Sequence, residues 1–257
     1  MAKIEKKPDS TGTTPSGARP HAPSRLRRRL KRAALVLVGL LAVPALEVSC
    51  VSFVDPGVTG PMIVRRIFAP FAPEEVPAAE LTWVPLSEMA RAFPRAVVVS
   101  EDHHFYEHHG FDWKAIEDAR AQAARTGRPS RGASTITQQC ARSLFLWQAR
   151  SWPRKGLEAY YTAWMEALLS KQRILELYLN VIELGDGIYG VEAAARHYYH
   201  VHARRLTVAQ VAMLVAILPS PREWSPLRPS ARVLRRQGAI LRALGRGGPG
   251  PSEPGGP

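Results

Sequence analysis

The feature that most restricts what this chain can fold into is an unbroken apolar stretch near its start. Ala33 to Val54 reads AALVLVGLLAVPALEVSCVSFV, and it follows directly on Arg25, Arg27, Arg28, Arg29, Lys31 and Arg32. A helix of about 20 apolar residues crosses the hydrocarbon core of a bilayer. This run has that length, with a single acid, Glu47, near its far end. It reads as one membrane span, and the basic cluster before it predicts a cytoplasmic N-terminus with everything after about residue 55 exported. Two other readings compete: a cleaved signal peptide, and the core helix of a soluble protein. No small-x-small cleavage site follows the run, and core helices are rarely preceded by so many cations.

The charge is concentrated in the same place. The chain has 257 residues and a formal charge of +13, but residues 1–32 hold ten Lys or Arg against two acids, leaving 25 against 20 for the rest. Basicity beside an apolar span is explained by anionic lipid headgroups, so no nucleic-acid partner is expected. Two cysteines, Cys50 and Cys140, imply no disulfide framework.

Four regions follow from composition. Residues 1–32 form a basic cytoplasmic tail, disordered where Pro, Ser, Thr and Gly dominate. Residues 33–54 are the anchor, 55–244 the folded domain, and 245–257 (GRGGPGPSEPGGP from 245) a Gly/Pro tail. Within the domain, Asp55 to Glu80 is punctuated by prolines and reads as irregular. Apolar residues then recur at three-to-four spacing over Ala115–Arg125, Ser151–Ser170, Gln172–Leu184, Gly190–Tyr199, Thr207–Leu218 and Ser230–Leu244. Alternating strand patterns are nearly absent, so the fold class is mainly α.

Three segments carry chemistry. In VVVSEDHHFYEHHGFD (Val97–Asp112), Glu101 and Asp102 follow an apolar run. A carboxyl against low-dielectric surroundings and beside a second carboxyl suits proton transfer near neutral pH. A helix-end acid pair is equally often a capping or solvated feature. His103, His104, His108 and His109 raise a metal-site reading, but the segment lacks His-Glu-x-x-His, and no metal is assigned to it.

The second segment, RPSRGASTITQQCARSLFL (Arg128–Leu146), sets Ser134, Thr135, Thr137, Gln138 and Gln139 at a helix start, with Arg142 one turn on. Free N–H groups, hydroxyls and amides suit phosphate or sugar, although an ordinary N-capped helix has the same look. The third, RSWPRKGLEAYYTAWMEALLSKQRILELYLN (Arg150–Asn180), carries Leu157, Tyr161, Trp164 and Leu168 as an expected buried stripe. Arg154, Lys155 and Glu158 are expected on a different face, as a surface ion pair or as a carboxylate ringed by cations.

Taken in order, and with ELGDGIYGVEAAARHYY (Glu183–Tyr199) and AMLVAILPSP (Ala212–Pro221), these segments resemble the peptidoglycan glycosyltransferase family over roughly residues 80–230. The arrangement of tail, anchor and one catalytic domain is that of its monofunctional members. The chain holds neither Ser-Asp-Asn nor Lys-Thr-Gly and stops at 257, so no penicillin-binding module is expected to follow.

The resemblance implies a lysozyme-like, two-lobed helical domain behind the transmembrane helix, acting at the bacterial inner membrane. It implies polymerisation of lipid II into glycan strands, with inversion and release of undecaprenyl pyrophosphate. Glu101 is then the general base and Glu158 the second essential carboxylate. Asp102, Phe105, His108, Ser134, Thr135, Gln138 and Gln139 shape the substrate cleft, and Arg142, Arg154 and Lys155 contact phosphate. No resident cofactor is implied beyond a divalent cation, Mg or Mn, near Glu158. The implied partners are lipid II, the growing lipid-linked chain, membrane lipid and other cell-wall synthases.

Arg142 and Ser143 depart from the family's usual Lys and Asn, and Arg replaces a compact ammonium by a planar fork. Residues 113–131, ending RTGRPSR, are expected to form a mobile loop that orders when donor binds. A lysozyme-like hydrolase and an inactive membrane-tethered scaffold are the alternative functions.

Overall fold

The structure is a computed structural model that describes residues 25–72, 77–127, 133–149 and 151–246. It contains two compact units that divide between Ala42 and Val43. Helix α1, Arg25–Val51, runs through that boundary, and its Arg27–Val51 portion is long and apolar enough to cross a membrane. The helix takes in the basic residues from Arg25 onward as well as the apolar run, since Lys and Arg are good helix formers. It stops at Val51, three residues short of the apolar run, where Ser49 and Ser52 turn their hydroxyls back onto Ala45 O and Ser49 O.

From Val43 onward the chain is mainly helical. Helices α2 (Gly60–Phe68), α3 (Ala92–Glu101), α4 (Trp113–Thr126), α5 (Ile136–Phe145), α6 (Trp152–Leu168) and α7 (Lys171–Val181) are followed by α8 (Val191–Tyr199), α9 (Val208–Ile217) and α10 (Ala231–Gly245). Three short strands, β1 (Glu80–Leu81), β2 (Glu183–Gly185) and β3 (Ile188–Tyr189), form a sheet in the order β1-β3-β2, with β1 parallel and β2 antiparallel to β3.

Two expectations about where helices lie change here. The first concerns Asp55–Glu80, where Thr59 and Pro61 start α2 inside a stretch that reads as irregular. Pro is tolerated in a first turn because its missing N–H has no intrahelical partner there. The second concerns Gln172–Leu184, whose helical pattern ends at Val181. Gly190, with φ 82°, passes so close to the Asn180 backbone that a Cβ would collide with it, and this closes the β2–β3 hairpin against α7.

Core packing positions the site. Helix α9 is buried from Val211 to Ile217 and is flanked by α3 and α10, while α5 packs between α6 and α7. On α6 the buried face is Arg154, Glu158, Tyr161, Thr162 and Met165. Leu157 and Leu168 of the expected stripe are instead 39% and 44% exposed. The charged pair takes the buried face because each group neutralises the other, and burial of either alone would be costly.

Candidate active site

Glu101 is the last residue of α3, at the helix end where the macrodipole disfavours negative charge. Its neighbours offset this. Arg236 Nη2 on α10 donates to Oε1 at 3.1 Å, Ser100 Oγ donates to the same oxygen at 3.1 Å, and Gln139 Nε2 on α5 reaches Oε2 at 3.4 Å. The side chain is 13% exposed and lines a cavity of about 260 Å³ together with His103, His104, Asp112 and Ser134. A carboxylate contacted by donors and open on one side is placed to accept a proton.

Asp102 turns the other way and is buried. Its carboxylate accepts from His108 Nε2 at 2.9 and 3.0 Å and from Ile136 N at 2.9 Å. Gly110 N donates to His108 Nδ1 at 3.1 Å, which leaves the ring proton on Nε2, facing Asp102. Thr135 caps α5, closing a capping box with Gln138, and its hydroxyl donates to Gly110 O at 2.7 Å.

Asp102, His108, Thr135 and Gln138 therefore lock the loop after Glu101 onto the start of α5. Phe105 is fully buried, with Lys171 Nζ 4.6 Å above its ring. Phe105, His108 and Gln138 take supporting places, while Asp102 and Thr135 brace the loop and also line the cavity beside Glu101, because the N–H groups of a buried helix start must find acceptors within the protein.

Ser134 and Gln139 are half-buried and connect the two carboxylates. Gln139 Nε2 lies 3.4 Å from Ser134 O, and Lys155 Nζ lies 3.5 Å from Ser134 Oγ. Lys155 also pairs with Glu158 Oε1, and Arg154 Nη1 holds Glu158 Oε2 at 2.6 Å. Glu158 is fully buried.

Two cations thus occupy both Glu158 oxygens, and among the described residues no three His, Cys, Asp or Glu gather to hold a metal. The divalent cation expected near Glu158 does not fit this donor set, because the cations already there would repel it. The four histidines likewise assemble no metal site among the described residues: His108 is engaged by Asp102, and His104 pairs with Glu107 at 2.8 Å.

Arg142 and Arg154 line a second cavity of about 370 Å³, with Ser143, Glu183 and Arg222. Arg154 Nε is buried without a hydrogen-bond partner among the described residues, a donor left over for an anion. Arg222 Nε bonds Glu183 Oε1 at 2.9 Å. Burial pushes the Arg222 guanidinium down, but Glu183 outweighs that and holds it above its ordinary value.

Three participants at this site carry no mark in the sequence. Arg236 reads as one of several arginines on the solvated face of an amphipathic helix, and it lies 135 residues from Glu101. Tyr178, fully buried, reads as a core aromatic, and Arg222 sits in an irregular Pro-rich stretch. Of the expected mobile loop, Trp113–Thr126 is helix α4, capped by Asp112 at its start and by left-handed Gly127 (φ 64°) at its end. Residues 128–132 lie outside the described residues.

Relatives described as biosynthetic peptidoglycan transglycosylase are similar along most of the chain. One from Xanthomonas campestris pv. campestris (strain B100) is 47% identical over 234 residues, 91% of this chain and 94% of the relative. One from Pseudomonas entomophila (strain L48) is 45% identical over 88% of this chain and 94% of the relative. A third, from Caulobacter vibrioides (strain ATCC 19089 / CIP 103742 / CB 15), is 42% identical over 86% and 93%. The Transglycosylase family model matches residues 72–245, a span that takes in both carboxylates and every cation around them. The chain belongs to the transglycosylase family.

Proposed function

We propose that this protein is a membrane-anchored peptidoglycan glycosyltransferase that polymerises lipid II, with Glu101 as its general base. The observation that carries the reading is the placement of Glu101, with donors from Arg236, Ser100 and Gln139 behind it and an open cavity in front. In the reaction, Glu101 takes the proton from the 4-hydroxyl of the acceptor sugar as that oxygen attacks the anomeric carbon of the donor. The bond to undecaprenyl pyrophosphate breaks on the opposite face, so the configuration inverts and the electron pair leaves on the pyrophosphate.

Negative charge developing on the leaving group calls for cations placed in advance. Arg142 and Arg154 face the second cavity, and Lys155 stands between Ser134 and Glu158. Glu158, buried between Arg154 and Lys155, acts through them as a positioning residue: it fixes two long cationic side chains that would otherwise lose conformational freedom on binding. Ser134 and Gln139 contact the sugars, while Asp102, Phe105, His108, Thr135 and Gln138 hold the frame.

Helix α1 anchors the protein in the bacterial inner membrane. Its basic start stays in the cytoplasm against anionic headgroups, and the domain works outside on a lipid-linked substrate, alongside other cell-wall synthases. Incubating the detergent-solubilised protein with lipid II tests the reading. New glycan strands are expected. Degradation of added strands without synthesis would mark a hydrolase, and no change would mark an inactive scaffold; either result would overturn the proposal.

A further inference from the structure

Tyr178, on α7, has no part in the reaction as described, yet its hydroxyl reaches into the site. It is fully buried and donates to Gln139 Oε1 at 3.1 Å. The other end of the same amide, Nε2, lies 3.4 Å from both Glu101 Oε2 and Ser134 O. A carboxylate and a carbonyl only accept, so the amide is consistent in one orientation: NH2 toward Glu101, oxygen toward Tyr178.

The two bonds made by Nε2 are long, and the bond from Tyr178 is the shortest that the amide forms. We propose that Tyr178 is a positioning residue for the base, acting through Gln139 to keep an N–H donor, and never the amide oxygen, against Glu101. This rests on the reading of Glu101 as the base. Without the hydroxyl, Gln139 Oε1 faces a buried gap with no donor, and a buried acceptor left unpaired drives its side chain to another rotamer. Glu101 then loses one of the donors that favour its charged form.

The other polar groups around Glu101 make hydrogen bonds that do not involve the Tyr178 hydroxyl. Arg236 approaches from α10, Arg142 lies on α5 with Gln139, and Lys155 on α6 contacts Ser134. On the loop side are His103, His104 and Asp112, while Asp102 is committed to His108 and Ile136. Helix α9, packed on α3, carries no charged residue. A change in pH dependence on losing the Tyr178 hydroxyl therefore reads the amide.

The experiment is the pH profile of kcat/KM for strand synthesis by the full-length protein and by Y178F, Q139A and the double variant, with thermal unfolding as a check on folding. Y178F and Q139A are each expected to move the acid limb up by about half a unit to one unit, and the double variant no further than Q139A. An acid limb unmoved in Y178F, whether or not activity falls evenly across pH, overturns the proposal, as does an additive shift in the double variant. Q139A carries the test even where Y178F is too unstable to assay, and an unmoved limb there also overturns it. E101Q run alongside separates the two readings: substantial synthesis by E101Q sinks the base assignment itself, whereas an inactive E101Q with an unmoved Y178F sinks only the role of Tyr178.

Discussion

At Glu158 a carboxylate with 1% side-chain exposure sits between Arg154, 8% exposed, and Lys155, 40% exposed. Removing one partner of a buried pair leaves the other uncompensated. Glu158→Gln is therefore expected to lower the unfolding free energy by about 3 kcal/mol in denaturant titrations and to abolish strand synthesis together with it. A variant as stable as wild type would show that the two cations do not depend on this carboxylate. The residue types of this trio are legible in the sequence, and their spacing puts Arg154 and Glu158 on one helix face. What is not legible is that the face is buried, because neither charge announces the other's compensation. Asp102 shows the reverse: its adjacency to Glu101 reads as a shared acid site, but its carboxylate accepts from Ile136, 34 residues away. A local sequence window holds no trace of that partner.

Among the elements, α8 and the turn after it depend on a single buried acid. Glu192 accepts from Ala203 N at 2.7 Å, Arg196 Nε at 2.7 Å and His202 Nδ1 at 2.9 Å. Burial pushes its carboxyl up, but these three donors outweigh burial and hold it below its ordinary value of 4.5. A folded-state value below the unfolded one gives stability that is complete above about 4.5 and is lost as pH falls through the folded value. The stability advantage of wild type over Glu192→Gln should therefore be full at pH 6 and shrink toward pH 3 in unfolding titrations. A difference constant with pH would contradict this account. Helices α6 to α10 are legible as elements because each buries residues at helical spacing, and α4 because Ala115, Ile116, Ala119 and Ala123 share a half-buried face. Strands β2 and β3 are not, since three- and two-residue strands are too short to show alternation and their pairing is set by Gly190 packing on Asn180.

For the whole molecule, the apolar run is the most legible part of the chain, but its junction with the domain is not. Glu47, the one acid in the run, receives the Tyr161 hydroxyl from α6, and Phe145 stacks on Tyr161 at 4.5 Å. Arg173 on α7 donates to Val51 O at 3.1 and 2.9 Å and pairs with Asp55 at 2.8 Å, satisfying carbonyls that the end of α1 leaves open. Arg173→Ala is expected to speed amide exchange over residues 52–57 at least several-fold while membrane insertion is kept, and unchanged exchange would show that this junction is held by other contacts. The cleft itself joins α3, α5, α6 and α10, elements up to 135 residues apart, which is why Glu101 is visible in the sequence and Arg236 is not. In the proposed reaction this assembly lets one carboxylate take one proton, and the most direct test is strand formation from lipid II by wild type and by Glu101→Gln at matched membrane insertion and thermal stability. Loss of strand synthesis in the variant, by a factor of about 100 or more, is the predicted result, and substantial polymer made by the variant would contradict the account.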